Sequence, residues 1–323
     1  LTNFKILESI FKLDKSNKKL DLAINKLTSL KERNLDYKKF VEFIKSRDQA
    51  LKSAITNKEN AVFVMGHKNP DTDTVISSLF ESWRNHLINN KVIYIPIIQN
   101  KSLPNEVNCL LGDLSKYILL TTNSLYQEIK QSGLARWISV DQNKELEVQK
   151  YFIAIIDHHM VSKEARNREI PKTLEMLGSC SALITRKYLG MGLKLDSELA
   201  KIMYGATLMY TENRVKHKMT NEDFKIMDYL KKISNVKDDN LFYGDFMSSL
   251  LNIDDADLLF NRDYKEDWGF GFAVAKFKKG FSKNGKTIKK KLVSKLFKLA
   301  QINNANKNLP LTLLRVTDYL NDN

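Results

Sequence analysis

The chain has little of what staples or punctuates small folds. It holds two cysteines in 323 residues, Cys109 and Cys180, far apart and outside any Cys-x-x-Cys pair. That usage fits a reduced, cytoplasmic setting. No apolar run approaches the ~20 residues that a membrane helix needs, so no membrane span is expected. The first residues are polar and charged, without the apolar core and cleavage site of a signal peptide. G-x-S-x-G, Walker A and G-x-G-x-x-G patterns are all missing, which removes the serine-hydrolase, P-loop and dinucleotide readings. Zinc-finger and RNP motifs are missing too, so no specific nucleic-acid partner is expected. Residues 1–58 contain neither glycine nor proline. There are no internal repeats and no low-complexity blocks.

What is present suits a folded enzyme. Hydrophobic residues make up 43% of the chain, enough for two domains or one large domain with an appendage. The formal net charge is +14, a surface that attracts polyanions, although much of it comes from a general abundance of lysine. Of the five histidines, three fall in two short clusters.

Residues 1–58 read as a helical N-terminal extension. Phe4, Ile6, Leu7, Ile10, Phe11 and Leu13 recur at helical spacing, as do Phe40, Phe43 and Ile44. Packing on the main domain or on a second copy of the chain, as in a homodimer, accounts for it. From residue 59 to about 235 the pattern alternates. Strands are expected at Ala61–Met65, Val92–Ile98, Trp137–Asp141 and Tyr151–Asp157, with helices at Thr74–Leu87, Ser181–Tyr188 and Ser197–Met209. Such alternation gives an α/β domain with a mostly parallel sheet. Residues 236–323 read as a smaller α+β domain, reached through a polar helical stretch at 220–260. It would have a strand at Gly271–Phe277, a basic helix at Lys286–Leu299 and a strand at Leu311–Val316.

Parallel sheets bind ligands at the C-terminal ends of their strands. Three expected strands end there in polar residues: Gly66-His67-Lys68-Asn69-Pro70-Asp71-Thr72-Asp73, then Asp141, then Asp157-His158-His159. Imidazole mixed with carboxylate suits Mn, Fe, Co or Zn, and the carboxylate excess favours harder ions such as Mn or Mg. The first cluster alone is also explained by an Asx turn with Asp73 capping a helix. Two successive strands ending in Asp/His clusters are harder to explain as turns. A metal centre near phosphate would suit in-line attack of water on phosphorus, with positive side chains neutralising the oxygens.

At these residues a resemblance enters. The eight-residue stretch from Gly66 to Asp73 and the Asp157-His158-His159 triplet are similar to the signatures of the DHH phosphoesterase superfamily. The first stretch most resembles the manganese-dependent (family II) inorganic pyrophosphatases. Ser139-Val140-Asp141-Gln142-Asn143 resembles that family's strand-end Val-Asp-His-Asn motif, with Gln142 in place of the histidine. Ser179-Cys180-Ser181 falls at the family's small polar helix start. The resemblance covers about residues 60 to 320. It implies two Mn²⁺ ions, with Mg²⁺ or Co²⁺ as substitutes, and a metal-bridged water as nucleophile. His67, Asp71 and Asp141 would hold one ion, and Asp73, Asp141 and His158 the other. Asp157 would orient the histidines and His159 would face substrate phosphate. Arg262-Asp263-Tyr264-Lys265-Glu266 resembles the family's Asp-x-Lys-Glu segment. It implies a DHHA2-type C-terminal domain in which Lys265 contacts phosphate. Without a Gly-Gly-Gly-His motif, a phosphodiesterase acting on short nucleic acids or cyclic dinucleotides is disfavoured.

Two departures stand out. Tyr210 occupies the position of the family's last metal-binding aspartate, so the second site loses a carboxylate unless Glu212 reaches in. The family's terminal Ser-Arg-Lys-Lys-Gln grip has no match before the sequence stops after Thr317-Asp318-Tyr319-Leu320. The sequence therefore implies a metal-dependent phosphoanhydride hydrolase with pyrophosphate as first substrate. An exopolyphosphatase, or a degenerate member that binds metal or a phosphate-rich ligand with little turnover, stands beside it.

Overall fold

A computed structural model describes residues 33–143, 151–251, 256–257, 260, 264–267, 270–277 and 290–318. The helical expectation for residues 1–32, and the segments at Arg262-Asp263 and Tyr319-Leu320, lie outside the described residues. The chain divides into two compact units. One contains the described residues up to Leu103 together with Leu111–Tyr243; the other contains Pro104–Leu110 and the described residues from Gly244 onward. Among the described residues, no helix is long and apolar enough to cross a membrane.

The larger unit is built on six strands: β2 (Ala61–Met65), β3 (Ile93–Ile98), β4 (Leu119–Leu120), β5 (Ala135–Val140), β6 (Phe152–Asp157) and β7 (Lys172–Leu174). Their order is β4-β3-β2-β5-β6-β7, and every neighbouring pair is parallel. All five residues of β2 are buried, the pattern of a parallel strand covered on both faces. The chain leaves β2 towards β3 on one side and returns to β5 on the other. The C-terminal ends of β2 and β5 are therefore the switch point, where open α/β sheets bind ligands. Met65 pairs with Ser139 and Val140 with Ile156, so the residues after β2, β5 and β6 emerge side by side.

Helices cover both faces. On one, α2 (Arg47–Asn57) and α5 (Ser124–Gln131) bury Leu51, Ala54, Tyr126 and Ile129 with Phe63 and Trp137 of the sheet. On the other lie α3 (Thr72–Ile88), α7 (Cys180–Gly190) and α8 (Ser197–Tyr210). In α3 the side chains of Val75, Ile76, Leu79, Phe80 and Trp83 recur at helical spacing and are all buried. Ser77, Ser78 and Ser82 are buried as well; their small side chains let the helices approach closely. Of the shorter helices, α4 (Asn105–Leu111) lies largely in the smaller unit and α6 (Lys163–Asn167) precedes β7.

One expectation needs correction. Residues Arg33–Leu35 are a strand, β1, paired in parallel with β8 (Leu193–Leu195), although this stretch read as helical. β1 was hidden because three residues are too few to show a period of two. The helix that follows, α1 (Tyr37–Lys45), packs on the larger unit, with the Phe40 ring 4.8 Å from Phe80 and 5.1 Å from Trp83. The polar stretch after Thr220 is two helices, α9 (Asn221–Ser234) and α10 (Asp239–Leu251). In the smaller unit, β9 (Lys265–Asp267) runs antiparallel to β10 (Phe270–Phe277), which pairs in parallel with β11 (Thr312–Asp318). With α11 (Lys290–Lys307) they enclose Phe260, Tyr264, Ala273 and Leu296. Gly271 is required there, because a Cβ would lie 2.3 Å from Thr312 Oγ1.

One buried ion cluster ties α3 to α7. Glu81, 1% exposed, accepts from Arg84 at 2.7 and 2.5 Å and lies 3.2 Å from the Lys187 ammonium. Burial pushes its carboxyl up, but Lys187 and Arg84 outweigh that and bring its pKa to about 2. Its contribution to stability is therefore complete above the ordinary glutamate value of ~4.3 and fades as pH falls towards about 2. Glu81→Gln is expected to unfold about 2–4 kcal/mol more easily at pH 7 and to show a flatter stability profile between pH ~4.5 and ~2.5. Urea unfolding at both pH values checks this; equal slopes in native and variant protein would contradict it.

Candidate metal centre

The site grows out of the ends of β2, β5 and β6. Gly66 follows β2, and its missing side chain matters: a Cβ would stand 2.3 Å from Thr74 Cγ2 and 3.0 Å from the Val140 carbonyl. The turn after β2 is tied back by Gln99, whose Nε2 donates to the Gly66 carbonyl at 2.5 Å. The cap of α3 is Asp71, not Asp73: Asp71 Oδ1 accepts the Thr74 N–H at 2.9 Å. Its other oxygen is 3.9 Å from His67 Nε2. Asp73, in the first turn of the helix, is fully buried and accepts the N–H groups of Cys180 and Ser181 at 2.7 and 2.8 Å. It thus sits on the positive end of α7.

Asp141 lies at the centre. It follows β5 with φ +55°, a left-handed conformation that aspartate tolerates better than most residues. Its N–H is held by the Ile156 carbonyl at 2.9 Å. One carboxylate oxygen accepts the Thr74 hydroxyl at 2.5 Å and lies 3.4 Å from His67 Nε2. The other lies 3.1 Å from His158 Nε2 and 3.8 Å from His159 Nδ1. Thr74 Oγ1 is also 2.6 Å from His67 Nε2. Since its single proton goes to Asp141, the hydroxyl accepts from the imidazole.

Asp157 ends β6 and organises both histidines. Its Oδ1 accepts from the backbone of His158 and His159 and from His159 Nδ1, at 2.8, 3.2 and 2.8 Å. Its Oδ2 accepts from the Asn143 amide. His158 Nδ1 must donate to the Leu177 carbonyl, 2.9 Å away, which leaves Nε2 to face Asp141. His159 Nε2 is 3.1 Å from the Tyr210 hydroxyl.

The electrostatics are those of charges crowded out of water. Burial and the neighbouring Asp141 push Asp73 up to about 7. Burial would lower His158, but Asp141 and Asp73 raise it to about 10. Burial also opposes the ionised form of Asp141, yet His158 and His67 hold its carboxyl well below the usual range. Tyr210 is driven above its ordinary phenol value by burial and by Asp141, Asp71, Asp73 and Asp157, so it stays protonated. Asp141 Oδ1 and His158 Nε2 are both buried and face each other at 3.1 Å as an ion pair. A buried carboxylate and imidazole so placed are donors that a divalent cation could share.

Two donor sets have all their atoms within 4.8 Å of one another: His67, Asp71 and Asp141; and Asp141, Asp157, His158 and His159. They share Asp141. Asp73 approaches the second set through His158 Nε2, at 3.8 Å. The sequence singled out His67, Asp71, Asp73, Asp141, His158 and His159, and the fold gathers all six at one rim. Lys265 starts β9 in the smaller unit, where it pairs with Phe272. Thr74 and Gln99 were missed. Both carry ordinary polar side chains whose role depends on strand order.

The sheet and its strand-end cluster define a doubly wound α/β domain with donors suited to a divalent cation. Residues 61–207 match the model of the DHH family, N-terminal domain. It is 26% identical over 195 residues to a protein of Bacillus licheniformis named as a probable manganese-dependent inorganic pyrophosphatase, across 57% of this chain and 58% of that one. An Archaeoglobus fulgidus protein of the same name is 24% identical over 191 residues, across 56% and 58%. The chain thus spans under three fifths of the length of these curated relatives. In fold it is similar to a candidate family II inorganic pyrophosphatase from Methanococcus jannaschii, with TM-score 0.62 at 18% identity over 80% of this chain and 83% of that one.

The Gly66–Thr74 contact makes a prediction. Gly66→Ala must displace Thr74, a β-branched side chain with little freedom in a helix. The expected cost is about 1–3 kcal/mol in urea unfolding, with weaker Mn²⁺ binding. Unchanged stability and affinity would show that the close approach has no consequence.

Proposed function

We propose that the chain is a metal-dependent hydrolase of phosphoanhydride bonds, with Mn²⁺ as its ion and inorganic pyrophosphate as its first substrate. The observation that supports it most is the single buried carboxylate of Asp141, met by His67 on one oxygen and His158 on the other. In this reading His67, Asp71, Asp73, Asp141 and His158 supply the metal ligands. A divalent ion bound there supplies Lewis-acid charge beside phosphorus and makes water more acidic.

The remaining steps belong to the protein. Asp157 fixes both imidazoles, so that His158 Nε2 faces Asp141 while His159, 39% exposed at its side chain, faces substrate phosphate. Thr74 holds Asp141 in place by its hydroxyl. The resemblance of its segment to the family's Asp-x-Lys-Glu assigns Lys265 to substrate phosphate. A basic chain and an anionic substrate complement one another, in keeping with a cytoplasmic setting. Polyphosphate, a longer substrate of the same bond type, is the variant to test beside pyrophosphate. The relatives' name as manganese-dependent pyrophosphatases supports the choice of ion and substrate.

Asp141→Asn keeps a side chain that tolerates φ +55° and removes its charge. The variant is expected to fold, to lose the thermal stabilisation that Mn²⁺ gives the native chain, and to release phosphate from pyrophosphate on the order of 10²–10³ times more slowly. Malachite-green phosphate release and melting with and without Mn²⁺ read both effects. A variant with native turnover would remove Asp141 from the metal. Release from polyphosphate only would move the substrate to the longer chain.

A further inference from the structure

The positive charge of this chain is not spread evenly. Of the formal +14, +12 falls in residues 268–317, where eleven lysines and Arg315 meet no aspartate or glutamate. All 38 acidic residues lie outside that stretch, and the rest of the chain is left with +2. A general abundance of lysine explains why the cations are lysines. It does not explain why the acids are missing.

The stretch contains α11, whose charges are not placed as helix stability asks. Its eighteen residues hold five lysines, Lys290, Lys291, Lys295, Lys298 and Lys307, and no acidic residue. No Glu–Lys pair at i, i+4 spacing is therefore possible within the helix. Four of the five lysines fall in its first nine residues, towards the end where the helix dipole disfavours positive charge. Only Lys307 lies in the last turn, where the dipole favours it. Lysines of the larger unit are used differently: Lys187, Lys218 and Lys231 each meet a carboxylate, at 3.2, 3.1 and 3.0 Å.

The two sides of α11 also differ. Leu296 and Ala300 are buried, and Val293 and Leu299 pack with them against the core of the smaller unit. That apolar stripe recurs at helical spacing and covers the sheet by itself. Ser294, Lys295, Phe297, Lys298, Gln301 and Ile302 are exposed on the other side. Among these lysines stand two large apolar side chains, Phe297 at 55% exposure and Ile302 at 54%.

Lysine and apolar side chains on one outward face restrict the partner. An anionic polymer in water, whether nucleic acid or polyphosphate, pairs the ammonium groups and gives Ile302 nothing to bury against. A lipid surface takes both. Lysine stems lie along apolar groups with their ammonium ends at the headgroups, while aromatic and aliphatic side chains enter the boundary beneath. Clustered lysines near a surface helix are drawn to anionic headgroups in particular.

We propose that the outer face of α11 docks the chain on an anionic phospholipid surface, with Lys295 and Lys298 at the headgroups and Phe297 and Ile302 in the interface. The helix lies on that surface and does not cross it, since no described helix is long and apolar enough to span. The acid-free stretch around it adds attraction over about a Debye length. The inference goes beyond the hydrolase reading and does not depend on it.

The test mixes the full-length chain with phosphatidylcholine vesicles, with and without phosphatidylserine, and reads bound protein by flotation at low and at high salt. Binding is expected to be at least about tenfold tighter with phosphatidylserine and to weaken with salt. Lys295→Gln with Lys298→Gln, and Phe297→Gln with Ile302→Gln, are each expected to bind about tenfold more weakly. All four positions are exposed, so both variants are expected to melt as the native chain does. Lys38→Gln with Lys39→Gln, at two exposed positions on α1, is expected to bind as the native chain does. No binding, or equal binding to the two kinds of vesicle, would overturn the proposal. So would a loss in the Lys38/Lys39 variant equal to that in the α11 variants, because net charge and not this face would then be responsible. Tighter binding to poly(U) or to long-chain polyphosphate in fluorescence anisotropy, unchanged in the Phe297/Ile302 variant, would assign the face to a soluble polyanion and overturn it as well.

Discussion

The arrangement of this domain depends on keeping an ionised carboxylate in a place water does not reach. Asp141 is 1% exposed. An uncompensated charge in such a position costs several kcal/mol, and the surrounding structure is organised to offset it. The strand register sets His67 and His158 on either side of it. The Thr74 hydroxyl, reached only because Gly66 has no side chain, supplies a third contact. Even the left-handed backbone at Asp141 follows, because it turns the carboxylate across the rim. Without an added cation the balance relies on a protonated His158, whose pKa Asp141 and Asp73 raise to about 10. A divalent ion would do the same with shorter, directional bonds.

That balance explains the polar residues farther out. Asp157 accepts hydrogen bonds on both oxygens and so fixes His158 and His159. Asp73 joins the rim to α7 through two backbone N–H groups, so the site and the helix layer behind it share one carboxylate. Glu81 repeats the logic within that layer, where Arg84 and Lys187 leave it ionised although buried. Carboxylates on α3 therefore hold the helix layer together, and the rim of the sheet inherits its rigidity from them.

Much of this was legible in the sequence, for identifiable reasons. Ala61–Met65 is an uninterrupted apolar run, as expected for a strand covered on both faces, and the polar residues after it could only lie at the strand's end. The same reasoning located Asp141 and Asp157-His158-His159. The two-residue β4 and the three-residue β1, β7 and β8 carry too little pattern to be read. Contacts that bridge distant parts of the chain were equally hidden. Asp73 meets Cys180 across 107 positions, and His159 meets Tyr210 across 51. Tyr210 drew notice from the resemblance alone, whereas its hydrogen bond to His159 required the fold.

The central claim is that Asp141 holds a divalent cation together with the histidines around it. Anomalous X-ray scattering at the manganese edge, from crystals of the full chain grown with Mn²⁺, tests that without any assumption about substrate. The account expects an anomalous peak within coordination distance of an Asp141 oxygen and of His67 Nε2. Manganese peaks elsewhere on the molecule, with none at Asp141, would contradict it.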